Sequence, residues 1–166
     1  MISYILAILT SAVFLAGDFI SKKYILVNFS ERPPVSFIKG VVGINFTQND
    51  GAAWGFLSGH TVLLVIITIT VMAFCIIFLW KNAKKSKLLF WAVCLVLSGG
   101  LGNMYDRIFR DGKVVDFLQF EFWTEFPVFN VADCSIVIGA GLLILYYVID
   151  IMKEYKLKKQ DNDASN

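Results

Sequence analysis

Apolar residues in this chain gather into four long runs separated by polar stretches. Positions 61–80 carry no charged residue, and a helix of about 20 apolar residues crosses a hydrocarbon core. Positions 88–105 and 135–149 are also uncharged, and the chain is uncharged from its start to Asp18. The pattern predicts four membrane-spanning helices at 2–20, 61–80, 88–105 and 131–149. They belong to a single membrane-embedded domain over 1–166, joined by a long connection, a short one and a long one. In the first connection Val42, Ile44 and Phe46 alternate with Gly43, Asn45 and Thr47, a strand period. Pro33-Pro34 before it and Asn49-Asp50-Gly51 after it are turn signals. A small β-sheet over about 35–58, resting on the membrane surface, is expected. The third connection holds Phe117, Phe120, Phe122, Trp123 and Phe126. These fit an interfacial aromatic belt, and equally a lid over a site at the same depth. The polar end, about 157–166, reads as a disordered tail.

Composition agrees with the pattern. The chain is 57% hydrophobic and 17% charged, with a mean hydropathy of +0.68, against about 45–50% apolar in soluble domains. The opening run lacks a basic start and is long, so a retained helix is expected in place of a cleaved signal peptide. The net charge of +2 is dispersed, with no basic-aromatic stripe, so nucleic acid is not an expected partner. Cys75, Cys94 and Cys134 form neither a disulfide framework nor a zinc spacing.

Four spans put both termini on one side. Eight of the lysines and arginines fall on that side and seven on the other, which is nearly a tie. Lys81, Lys84, Lys85 and Lys87 are nevertheless concentrated in one short loop, which favours cytoplasmic termini and two outer loops. Lys22-Lys23 argues the other way, unless Asp18 holds Lys22 one helical turn away.

That topology gathers a set of polar residues at the outer membrane edge. Asp18, Ser21 and Lys22 end the first span, and Asn49, Asp50 and Gly51 follow in the first loop. Asn103, Asp106 and Arg107 end the third span, Asp116 lies beyond it, and Asn130 and Asp133 begin the fourth. Acids beside lipid are costly unless a partner or a reaction uses them. Asp133 has a plain structural role available: Asn130 reads as an N-cap, with the acid three residues on. Asp116 is stranger, because Val114, Val115, Phe117 and Leu118 surround it. Two such carboxyls meeting would share one proton, the arrangement of an acid/base protease pair. Asp106-Arg107 reads as a structural pair, and Ser98-Gly99-Gly100-Leu101-Gly102 as a close-packing stripe. His60 stands alone and no Gly-x-Ser-x-Gly occurs, which disfavours serine or cysteine nucleophiles. A hard-cation site built from Asp18, Asp106, Asp116 and Asp133 stays open.

These residues fall into ordered blocks: Asp18 with Ser21-Lys22, Asn49 before Gly51-Ala52-Ala53-Trp54-Gly55, Gly102-Asn103-Met104-Tyr105-Asp106-Arg107, Val114-Val115-Asp116-Phe117, and Phe129-Asn130-Val131-Ala132-Asp133. In order and spacing the set closely resembles the bacterial lipoprotein signal peptidases (signal peptidase II), from Asp18 to the fourth span. The resemblance implies a four-transmembrane-helix bundle, all-α apart from a small extracytoplasmic sheet, with a short extracytoplasmic segment over the site. It implies an aspartic endopeptidase of the bacterial cytoplasmic membrane that cuts prolipoproteins before a diacylglyceryl-modified cysteine. Asp116 and Asp133 map onto the catalytic pair. Asp18, Lys22, Asn49, Gly51, Asn103, Asp106, Arg107, Asn130 and Ala132 map onto supporting positions. No cofactor or metal is implied, and the expected partners are the lipidated precursor and membrane lipids, with the enzyme a monomer. Two positions depart from the family pattern: Phe19 where many members have Gln, and Cys134 where many have Ser. Outside the resemblance, a metal-dependent intramembrane phosphotransferase or a proton-coupled carrier would also use membrane acids.

Overall fold

The computed structural model describes residues 1–82 and 85–164. Helices α1 (Ile2–Phe29), α2 (Thr61–Asn82), α3 (Lys87–Phe109) and α4 (Val131–Ala164) carry most of them. All four are long and apolar enough to cross a membrane. Strands β1 (Val35–Ile38), β2 (Val42–Asn49) and β3 (Val114–Phe120) form one antiparallel sheet in the order β1-β2-β3.

The bundle is inside out relative to a soluble protein. Large apolar side chains such as Ile66 and Phe74 of α2 and Val137 and Ile144 of α4 point outward. Buried positions include small or polar residues: Ala7, Ser98, Gly99, Gly102 and Ser135. Lipid is as apolar as leucine, so helices associate through close backbone approach and hydrogen bonds. Helix α3 packs against the other three and has the largest buried face. Ser98 Oγ meets Ser135 Oγ of α4 at 2.8 Å, and Ser135 also donates to Leu95 O of α3 at 2.8 Å.

The expected spans are present, but three helices run past their expected ends. Helix α1 continues from 20 to Phe29, because Asp18 and Lys22 face inward and pair at 2.8 Å. Charge therefore does not mark its exit from the bundle. Lys22 is fully buried, so it does not snorkel to the interface. Helix α3 continues through Asp106 and Arg107 to Phe109, again with Asp106 turned inward. Helix α4 continues from 149 to Ala164, into the stretch expected to be disordered, and Glu154 pairs with Lys158 at 2.8 Å along it. The last two residues of the tail, and Lys84 of the lysine-rich loop, lie outside the described residues.

The sheet differs from its expected extent of about 35–58 by gaining β3 from the third connection. The β2–β3 register has an irregularity where it matters. Ile44 faces Leu118 but Thr47 faces Asp116, so β2 spends three steps against two on β3. A bulge of this kind bends a strand and re-aims its side chains. Beneath the sheet, Val115 and Phe117 pack with Ile25 of α1, which ties β3 to the end of the bundle nearest the sheet.

Candidate active site

Two elements converge at the junction of sheet and bundle. Strand β3 brings Asp116, which is only 3% exposed. The first turn of α4 brings Asp133. Both line an open cavity of about 340 Å³, together with Asn49, Asn103, Arg107 and Trp54.

The Asp133 end is built by a reciprocal cap. Asp133 N donates to Asn130 Oδ1 at 2.9 Å, and Asn130 N donates to Asp133 Oδ2 at 3.0 Å. The expected N-cap is therefore present, and the same acid that serves it also lines the cavity. Its other oxygen accepts from Asn103 Nδ2 at 2.7 Å. The amide of Asn103 has no choice of orientation, since its Oδ1 already accepts from Lys22 Nζ at 3.0 Å and Asn130 Nδ2 at 3.0 Å.

Asp116 is held by two amides. Asn49 Nδ2 donates to Oδ2 at 2.9 Å and Asn130 Nδ2 to Oδ1 at 2.6 Å. Asn49 sits at the end of β2, and its own Oδ1 accepts from Gly51 N at 2.9 Å. Burial first, and then the charge of Asp133, push the Asp116 carboxyl up to about 7, against the two amide hydrogen bonds. Asn130 thus touches both carboxyls, one through its side chain and one through its backbone.

A layer of charge lies behind this pair. Lys22 Nζ sits 2.8 Å from Asp18 Oδ2 and 3.1 Å from Asp106 Oδ2. Asp18 Oδ1 accepts from Ala132 N at 2.9 Å, one residue before Asp133. Asp106 accepts from Val115 N at 3.2 Å, one residue before Asp116, and pairs with Arg110 Nε at 2.7 Å. The two rear acids therefore fix the backbone beside each front acid. Arg107 donates from a terminal nitrogen to Gly51 O at 2.7 Å and so closes the 51–56 segment over the cavity. A short 3-10 turn, Ala53–Gly55, lies in that segment.

Every supporting residue expected from the sequence lies in this assembly. The four acids do not converge on one point: Asp18 and Asp106 both pair with Lys22, and neither lines the cavity. Among the described residues no group of three or more acids, histidines or cysteines is arranged to hold a metal ion. His60 is exposed, with Nδ1 3.0 Å from Ser58 O. Sequence reasoning missed two contributors. Arg110, paired to Asp106, was signalled by its spacing of four residues. Val115 acts through its N–H and C=O, which no side-chain pattern reveals. Next to Asp133, Cys134 lines a second, apolar cavity with Phe120, Phe126, Phe129, Val137 and Ile138.

Chemically, the arrangement offers one carboxyl held by amides in a dry strand and another at a helix N-terminus, where an anion is favoured. Both face one accessible cavity, which suits acid/base work on a bound polar group.

Known proteins resemble this chain in sequence and fold. The lipoprotein signal peptidase of Halothermothrix orenii is 46% identical over 117 residues, 70% of this chain and 76% of that protein. That of Bacillus pumilus is 37% identical and covers 90% of this chain and 94% of its own. The Enterococcus faecalis lipoprotein signal peptidase is 37% identical over 95% of this chain and 94% of its own. A bacterial membrane enzyme solved by the in meso method at 2.3 Å resolution superposes with a TM-score of 0.80 at 33% identity, covering 88% of this chain and 89% of that one. A family model for signal peptidase (SPase) II matches residues 10–149, and the chain, a multi-pass bacterial membrane protein, belongs to that family.

Proposed function

We propose that this chain is an aspartic endopeptidase that removes signal peptides from bacterial prolipoproteins, cutting on the amino side of the diacylglyceryl-modified cysteine. Family membership supports the removal of signal peptides from prolipoproteins. The aspartic chemistry rests on one observation above the others. Asp116 and Asp133 face the same cavity, while Asp18 and Asp106 are engaged by Lys22.

The surroundings of the two carboxyls support a separate role for each. Asp133 is the ionised base, since it accepts from Asn130 N and Asn103 Nδ2 at the positive end of α4. Asp116 is the acid, holding its proton in a buried strand. Asp133 takes one proton from a water, and the water oxygen bonds to the scissile carbonyl carbon. Asp116 gives its proton to the carbonyl oxygen, forming a neutral tetrahedral diol. On collapse Asp133 passes its proton to the departing nitrogen and the C–N bond breaks. Asp116 recovers a proton from the hydroxyl, and both groups return to their starting states. The apolar cavity beside Asp133 has the character to receive hydrocarbon from the substrate.

The test uses a synthetic diacylglyceryl-modified precursor peptide with its unlipidated counterpart as control. Wild type is expected to cut only the lipidated form, with or without EDTA. Asp116→Asn and Asp133→Asn should each insert normally and lose about ten-thousand-fold in turnover, as removal of a member of a catalytic unit does. Full activity in either variant, or loss of wild-type activity in EDTA, would overturn the proposal.

A further inference from the structure

At the end of the bundle opposite the aspartates, a cavity of about 420 Å³ opens between the α2–α3 connection and the second half of α4. Its size falls in the range of small-ligand sites, about 300–1,000 Å³. One half of its wall is polar: Lys85 and Ser86 from the connection, and Asp150 and Lys153 from α4. The other half carries Leu88, Ile149 and the ring of Tyr146. That ring is anchored against the Leu89 and Val93 cluster of α3. Among the described residues, Lys85, Lys153 and Asp150 make no ion pair.

Depth identifies the environment. Between Asp133 and Asp150, α4 rises about 25 Å at 1.5 Å per residue. The hydrocarbon core of a bilayer is about 30 Å thick. A site at the outer edge therefore puts this cavity at the opposite water interface, where headgroups lie. Its apolar half faces the acyl region and its lysines face the phosphates. A basic pocket between helix ends at that level is the usual form of a headgroup site.

We propose that this cavity binds the headgroup of an anionic phospholipid. The phosphodiester lies between Lys85 and Lys153, the acyl chains run along Leu88 and Ile149, and headgroup hydroxyls donate to Asp150. Charge selects the ligand. Two lysines and one aspartate sum to a single positive charge, which matches a phosphodiester and undermatches a doubly charged free phosphate ester. Asp150 accepts from a glycerol-type headgroup, whereas a choline headgroup offers it no N–H or O–H donor.

The experiment is native mass spectrometry of the full-length protein released from detergent with added phosphatidylglycerol, phosphatidylcholine or glycerol phosphate. Wild type should retain phosphatidylglycerol in preference to the other two. Lys85→Gln with Lys153→Gln should cut that retention roughly thirtyfold, on the scale of two lysines at an anionic lipid surface. Lys153→Gln alone should give an intermediate loss. The control pair Lys156→Gln with Lys159→Gln, from the same exposed helix end, should behave as wild type. Thermal unfolding in lipid-free detergent should be unchanged in all variants, which separates lost binding from lost fold. Equal losses in the control pair would mean general attraction to positive charge and overturn the site. Equal retention of phosphatidylcholine, or binding of glycerol phosphate as strong as that of the lipid, would overturn the assignment of the ligand.

Discussion

Residue by residue, the proposed pair differs in how it is held. Asp116 depends on burial, and its carboxyl is pushed up to about 7. It therefore keeps its proton below that pH and loses it above. In the proposed mechanism the proton is needed at the carbonyl oxygen, so activity should fall on the alkaline side. The expected kcat/KM profile for a lipidated peptide has a one-proton alkaline limb with an apparent pKa of about 7. A profile flat to about pH 9 would contradict the assignment of Asp116 as the acid. The same shift bears on stability. The folded state binds a proton that the unfolded chain, at the ordinary value of 3.8, has released. The contribution of this group is thus fully present below about pH 4 and is lost as pH rises through about 7. Some of this was legible in the sequence: the spacing of Asn130 and Asp133 is a cap signal, and the apolar neighbours of Asp116 mark it as perturbed. The part played by Asn103 was not. Its orientation is set by Lys22 and Asn130, which lie 81 and 27 residues away in the chain.

At the level of elements, the site depends on how closely α3 lets α1 and α4 approach. A Cβ at Gly102 would stand 2.6 Å from Asp18 Oδ2 and 3.1 Å from Ala132 Cβ. Asp18 holds Ala132 N, so the intrusion falls on the joint that positions the start of α4. Gly102→Ala should therefore lower thermal stability in detergent by about 1–3 kcal/mol, the cost of overpacking. At Gly100 a Cβ meets Met72 Cγ and Sδ at 3.5 Å, ordinary contact with a flexible side chain. Gly100→Ala should stay within about 0.5 kcal/mol of wild type. Equal melting of the two variants would remove the argument that Gly102 sets the helix approach. The stripe and the four spans were readable because apolar runs and small residues are local signals. Helix ends were not, because Asp18, Lys22 and Asp106 are charges turned inward, and charge reads as an exit only when it faces water. Membership of β3 in the sheet was equally hidden. It pairs with a strand 67 residues earlier, at the Asn49–Asp116 contact, and the bulge that aims Asp116 has no sequence mark of its own.

For the whole molecule, the arrangement of ion pairs bears on a tie that charge counting leaves. Eight basic residues lie toward the termini and seven toward the sheet, and orientation follows the excess. On the sheet side, Lys22 is buried between Asp18 and Asp106, and Arg110 is paired to Asp106. Arg107 is turned onto Gly51 O. Three of the seven are thus engaged inside the fold, leaving Lys23, Arg32, Lys39 and Lys113. On the opposite side Lys81, Lys85 and Lys87 stand beside Lys153, Lys156 and Lys159, and none of these makes an ion pair among the described residues. The free positive charge is therefore concentrated at the termini, which favours a cytoplasmic position for both ends and an extracytoplasmic one for the sheet and the cavity holding Asp116 and Asp133. A C-terminal fusion to a fluorescent protein that matures only in the cytoplasm should be bright, and a C-terminal alkaline phosphatase fusion, active only outside, should be silent. Replacing Lys81, Lys85 and Lys87 with Gln should weaken this bias, whereas Lys156→Gln alone should leave it intact, since orientation responds to the summed charge of short loops. An active phosphatase fusion in the unmodified chain would invert the topology and put the proposed site on the cytoplasmic face.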